Sequence, residues 1–200
     1  MRSSSFQDDL TKERLLAAFL DGIYVKNLRQ YTFERVTHIE RQLLGIDLTL
    51  THKTSGKSYH IDEKSQLDYI NEDLPTFAFE LSYLKKKKER LGWLFDQKKK
   101  TDFYALVTAI FQDDNEYSSC KITLVNRNRL IALLTNLGFQ ADTIKSHRTN
   151  GVHGKTTLPF LDPKTQGYLY LSKNNKVEQP LNLVLRLEWL LRSGVAKRLV

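Results

Sequence analysis

The sequence predicts an α/β or α+β fold, with a mixed central β-sheet flanked by helices. Three observations carry this. Residues 45–66 hold two runs of alternating polar and apolar residues joined by a short turn, the pattern of a β-hairpin. Residues 10–20 (LTKERLLAAFL) repeat Leu10, Leu15, Leu16 and Phe19 near the helical period. Apolar, aromatic-rich runs at 76–84, 102–111 and 121–126 have the length and composition of buried strands. Neither a βαβ repeat nor a glycine fingerprint supports a Rossmann domain.

In chain order, a helix is expected over 9–21, ended by Asp21-Gly22, followed by a β-rich stretch at 31–38. In the first hairpin strand, residues 45–52, Ile46, Leu48 and Leu50 point one way and Asp47, Thr49 and Thr51 the other. Thr54-Ser55-Gly56-Lys57 is the turn. In the second strand, 58–66, Tyr59, Ile61 and Glu63 share one face, and His60, Asp62, Lys64 and Gln66 the other. Residues 67–75 read as irregular. After the buried runs, 127–138 reads as a helix stopped by Gly138, 139–167 as loop, and 167–172 as a short strand. Residues 181–200, after Pro180, read as an amphipathic helix. One domain over 1–200 is expected, with its core at about 10–126 and a helix/strand extension at about 127–200.

Composition narrows the function. With 40% hydrophobic and 27% charged residues, the 200-residue chain is an ordinary globular one. A single cysteine excludes an internal disulfide framework and argues against a thiolate zinc site. No segment approaches the ~18 apolar residues of a membrane span, and Met1 to Asp9 lacks an apolar leader, so a cytoplasmic address and no membrane partner are expected. The net charge of +8 and pI near 9.5 favour a polyanionic partner. Residues 85–100 hold eight Lys/Arg against two acids, and 145–176 six against one. Lys85, Lys86, Lys87 and Lys88, with Lys98, Lys99 and Lys100, are the expected nucleic-acid contacts. Residues 61–80 run the other way, with six acids and one lysine. An acidic knot in a basic chain is either a solvated face or a cation site turned toward a phosphate backbone.

The knot contains a chemical constellation. Asp62 and Lys64 lie on one strand face, about 6–7 Å apart. The right register brings Asp47 beside them from the neighbouring strand. Two strand-borne carboxylates can hold a hard divalent cation, and the lysine supplies a positive charge where a phosphodiester must be polarised. Gln66 shares the face. Glu40, Glu13 and Glu80 are further acids that can approach it. An ordinary salt bridge between Lys64 and an aspartate on an exposed sheet face is the bland reading.

Asp47 followed by Asp62-x-Lys64, on a helix–strand–hairpin frame, resembles the signature of the PD-(D/E)XK nuclease superfamily over about residues 10–126. The phrases GIDLTL, YHIDEKSQ, FAFELSYL and KTDFYAL look like a branch found in bacteria and their mobile elements. The first motif is Ile46-Asp47 rather than Pro-Asp. The resemblance implies a restriction-endonuclease-like core and a Mg²⁺-dependent (endo)nuclease, with Mn²⁺ as a possible substitute, acting on DNA, with endo or exo action left open. It implies Asp47 and Asp62 as metal ligands and Lys64 as the residue that positions the attacking water. The alternative is a non-catalytic nucleic-acid-binding or assembly protein that keeps the fold.

Other motifs are decoys. Gly154-Lys155-Thr156 lacks the leading glycine of a P-loop, since Thr149 stands in its place. His147 and His153 have no zinc spacing. Trp93 and Trp189 read as core residues and Cys120 as a strand cysteine.

Overall fold

The computed structural model describes residues 6–173 and 177–200. Residues 1–5, part of the stretch searched for a leader, and 174–176, the end of the second basic stretch, lie outside the described residues, as does the side chain of Glu13. Helix α1 (Phe6–Asn27) runs through Asp21-Gly22 rather than ending there. Leu16, Leu20 and Tyr24, all buried, continue its apolar stripe across the sheet beneath it. That packing outweighs the roughly 1 kcal/mol that a helical glycine costs.

Strand β1 (Tyr31–Arg35), the short helix α2 (Ile39–Leu43), β2 (Leu48–His52) and β3 (Ser58–Ser65) follow. The expected hairpin is present: β2 and β3 pair antiparallel, with Leu48 opposite Ile61 and Leu50 opposite Tyr59. A 3-10 turn at Leu67–Tyr69 leads to β4 (Thr76–Lys85) and β5 (Lys88–Leu91). The Lys85–Lys88 run, which reads as a loop, is the tip of this second hairpin. Lys86 and Lys87 turn it with φ of 51° and 62°. Strands β6 (Phe103–Asp113) and β7 (Glu116–Asn126) form a third hairpin.

Helix α3 (Arg127–Asn136) starts on an Asn126 cap and ends before Gly138, as its sequence predicts. The stretch 139–167 is not all loop. It holds helix α4 (Ala141–Asn150) and strand β8 (Gly154–Thr156), followed by β9 (Gly167–Leu171). The expected C-terminal helix is replaced by strand β10 (Leu181–Arg186), one short helix α5 (Leu187–Arg192) and strand β11 (Ala196–Arg198). Leu181, Leu183 and Leu185 alternate onto one face of β10 and are buried there. The strand sits between β4 and β9, so a two-residue period wins over the helical one.

The first sheet has the order β1-β2-β3-β6-β7-β11 and is mixed, because β3 and β6 run parallel. The second, β5-β4-β10-β9-β8, is wholly antiparallel. The fold is therefore a mixed α+β one with two sheets and few helices. One core lies between α1 and the first sheet, through Leu48, Leu50, Ile61, Ala105 and Val107. The other fills the space between the sheets, with Phe77, Phe79 and Leu81 of β4 against Tyr104 and Leu106 of β6, closed by α3 and α5. Alternation along β3 thus puts Ile61 on the α1 side and Asp62 on the inter-sheet side.

Candidate active site

Asp62 is central to its sheet. Its strand is paired on both sides, by β2 and β6, and Tyr104 stands opposite it on β6. The residue is only 2% exposed. Such a carboxylate needs partners, because an isolated buried charge is costly. Lys64, two residues along the same face, gives one: its ammonium bonds Asp62 Oδ1. Asp62 Oδ2 is buried and has no hydrogen-bond donor among the described residues.

Asp47 immediately precedes β2, one step past the residue opposite Ile61. Its main chain is held at both ends: Asp47 N–H donates to the Ile61 carbonyl, and Val36 N–H to the Asp47 carbonyl, each at 2.8 Å. Its side chain accepts the Glu63 N–H at 2.8 Å. The Asp47 carboxyl lies near enough to Asp62 for the charge of one to act on the other. Burial and the adjacent Asp62 charge push the Asp47 carboxyl up to about 7, against the lowering effect of Lys64 and the Glu63 N–H. The structure therefore brings Asp47, Asp62 and Lys64 together on one face.

The surroundings fix this geometry. Gly45 passes over Asp62 with φ of +73°; a Cβ there would lie 3.2 Å from Asp62 Oδ2 and 2.5 Å from Thr101 Oγ1. Thr101 donates to the Gly45 carbonyl at 2.8 Å, and the Lys99 ammonium to the Leu43 carbonyl at 3.0 Å. The basic segment 98–101 thereby clamps the turn before β2 onto the site. Trp93 faces the Lys64 ammonium, 5.5 Å from its ring centre, so it serves the site as well as the core. Its carbonyl accepts the Tyr104 hydroxyl, which in turn accepts from Arg127. Burial drives the Tyr104 hydroxyl far up, so it stays protonated. Arg41, which bonds Thr49 Oγ1 at 3.3 Å, adds a cation on the same face.

The remaining candidates stand apart. Glu40 is exposed in the first turn of α2. Gln66 uses its side-chain amide to donate to the Thr76 carbonyl, tying the end of β3 to β4. Glu80 alternates onto the opposite face of β4 from Phe79 and pairs in register with Asn182. Lys85 to Lys88 are exposed at the β4–β5 tip, and Lys98 and Lys100 are exposed beside the site. Sequence reasoning missed the site roles of Gly45, beside the motif itself, and of Trp93, Thr101 and Tyr104, which come from elsewhere in the chain. The one signal that could have found Gly45 is its place in GID, two residues before the aspartate. On the opposite face of β3, Glu63 accepts from Arg35 at 2.5 Å and from the Tyr24 hydroxyl at 2.7 Å, and Arg35 also reaches Asp21. This network anchors α1 and β1 behind the site.

Among the described residues, no group of three His, Cys, Asp or Glu side chains converges. Two carboxylates do suit Mg²⁺, which keeps several waters and takes one or two protein carboxylates. Lys64 offsets one of the two carboxylate charges and Asp62 Oδ2 is left without a hydrogen-bond donor, so with both carboxyls ionised the pair is short of positive charge. A divalent cation meets that need. No family model matches this chain, and no curated protein and no solved structure matches it either.

Proposed function

We propose that this protein is a Mg²⁺-dependent nuclease that hydrolyses phosphodiester bonds in DNA, with Mn²⁺ able to substitute. The observation that supports it is the approach of the Asp47 and Asp62 carboxyls on adjacent chain segments, with Lys64 bonded to Asp62. In this reading Asp47 and Asp62 hold the cation, and the core is that of a restriction endonuclease. A bound Mg²⁺ supplies positive charge to the phosphate and lowers the pKa of a water at neutral pH.

The chain's own residues do the rest. Lys64 has three ammonium hydrogens, and one is given to Asp62. The others are available to a non-bridging phosphate oxygen and to the attacking water. Their charge then acts where charge develops in the transition state. The Trp93 ring helps keep the ammonium in place. Lys98 to Lys100 and Arg41 bind the phosphates on either side, and the Lys85–Lys88 tip binds at a distance. Asp62 stays fixed because Gly45 and Thr101 cover it.

A second reading has its own support. Lys64 already pairs with Asp62, and no third carboxylate among the described residues joins them. That suits a nucleic-acid-binding or assembly protein in which the cluster only stabilises the sheet. Incubating the protein with supercoiled, linear and single-stranded DNA in Mg²⁺, Mn²⁺ or EDTA separates the two. The nuclease cuts at least one substrate with Mg²⁺ or Mn²⁺ and none in EDTA. Binding without cleavage under every condition leaves the second reading.

A further inference from the structure

We infer that a cleft on the opposite face of the first sheet binds a nucleoside phosphate. The cleft exists because α1 stops at Asn27, before it has covered the whole sheet. The chain turns back through Leu28 to Gln30, leaving a cavity of about 790 Å³ over the exposed end of the sheet. That volume suits a small ligand of nucleotide size. The floor is apolar and aromatic, formed by Tyr59 and Ile61 of β3, Phe103 of β6 and Leu124 of β7, with Tyr31 as a wall. Tyr31 meets Tyr59 edge-on at 6.4 Å, and Tyr59 meets Phe103 at 5.6 Å. Each ring is half-buried, so ring surface remains open to the cleft.

The rim is cationic. Arg29, Lys57, Arg129 and Lys197 line the cleft, and no Asp or Glu among the described residues does; Arg198, which pairs with Thr123, alternates to the other face of the sheet. Four cations with no acid make the rim positive. Lys57 lies 5.1 Å from the Tyr59 ring centre, joining rim to floor. Lys197 pairs in register with Leu124, which puts its side chain on the cleft face. Asn126, also at the rim, caps α3 by accepting the Arg129 N–H at 2.9 Å.

The chemistry of the ligand follows from the combination. A simple anion leaves the rings unused, and an apolar molecule leaves the cations unused. A base stacked on the tyrosines with its phosphate on the rim uses both. The site does not depend on the nuclease reading. Ile61 forms its floor, while the next residue, Asp62, points through the sheet to the other side.

The test is calorimetry in EDTA, where no cleavage occurs. The probes are adenosine 5′-monophosphate, adenosine, inorganic phosphate and an eight-nucleotide oligodeoxyadenylate. The monophosphate should bind at least about tenfold more tightly than adenosine or phosphate alone, since stacking and the charged contact each contribute on that order. Equal affinity per site for monophosphate and octamer identifies a free nucleotide as the ligand; an octamer at least about tenfold tighter identifies a strand. The double variant Lys57→Glu, Lys197→Glu alters exposed side chains and should keep the fold. It should weaken binding at least about tenfold, as should Tyr59→Leu, while Lys64→Ala should not. Three results overturn the inference: no binding of monophosphate or octamer, phosphate binding as tightly as the monophosphate, or binding unchanged in the double variant.

Discussion

Asp47 Oδ2 accepts the backbone N–H of Glu63 at 2.8 Å, so Asp47 is fixed to the strand that carries Asp62 and Lys64. The bond falls on the peptide between Asp62 and Glu63. It pins one carboxyl beside the other and leaves Lys64 as the nearest compensating charge. Replacing Lys64 tests the chemistry at a cost in stability, because buried Asp62 loses the ammonium bonded to it. Lys64→Ala should lower the cleavage rate by on the order of 10²–10³ with DNA affinity nearly unchanged, and should lower the melting temperature. Single-turnover cleavage and a filter-binding titration measure the first two. Cleavage at the wild-type rate would show that Lys64 is only an ion-pair partner.

The raised Asp47 carboxyl makes stability depend on pH. In the unfolded chain it titrates near 3.8 and in the folded one at about 7, so folding takes up a proton between those values. Without metal, its contribution is fully present below about pH 4 and is lost as pH rises to about 7. The loss is at most roughly 4 kcal/mol, reduced by the partial solvent access of Asp47. The difference in melting temperature between wild type and Asp47→Asn should follow this course. Mg²⁺ should flatten the wild-type profile by holding both carboxylates ionised. A difference that does not change across this range would sink the assignment.

The β4–β5 tip is expected to act through long-range charge. Changing Lys85, Lys86, Lys87 and Lys88 to serine should weaken DNA binding and flatten its salt dependence. The slope should drop by about 0.9 for each duplex phosphate that the tip no longer neutralises. The measurement is the affinity from 50 to 300 mM salt, roughly the range over which counterion release is resolved. If the slope is unchanged, the tip is a solvated turn.

Behind the site, Arg35 joins Glu63, Asp21 and the Ala17 carbonyl. Arg35→Ala leaves Glu63 with the Tyr24 hydroxyl but without its cation, and should cost about 2–3 kcal/mol in urea denaturation, since the pair is not fully buried. Tyr24→Phe removes one hydrogen bond and should cost about 1 kcal/mol. Near-neutral results for both would mean that α1 is held by its apolar stripe alone.

The hairpin and its face of Asp47, Asp62 and Lys64 are legible in the sequence because both strands alternate cleanly and the turn between them is short. Nothing as local marks the second sheet. Leu181 to Arg186 is rich in leucine and is followed by Leu187, Leu190 and Leu191, so the segment satisfies the helical and strand periods at once. What decides is the pairing of Leu183 with Phe79, far away in the chain. The same holds for Glu63 and Arg35, and for Gly45 over Asp62. Each joins distant positions whose residue types give no hint of the partner. Residue type and proximity in sequence draw Glu40, Gln66 and Glu80 toward the site, but α2 carries Glu40 away, the Thr76 carbonyl takes the Gln66 amide, and Glu80 stands on the far face of β4.

The pairing of β4 with β10 also sets a timetable for synthesis. Phe77, Phe79 and Leu81 leave the ribosome roughly 100 residues before the strand that will cover their edge. At ordinary translation rates that is a wait of about 5–20 s. During it, β4 has only the four charged and apolar residues of β5 as a neighbour, and an apolar strand edge stays open to other chains. The lysines at the tip put like charge beside that open edge, which disfavours its pairing with another nascent chain.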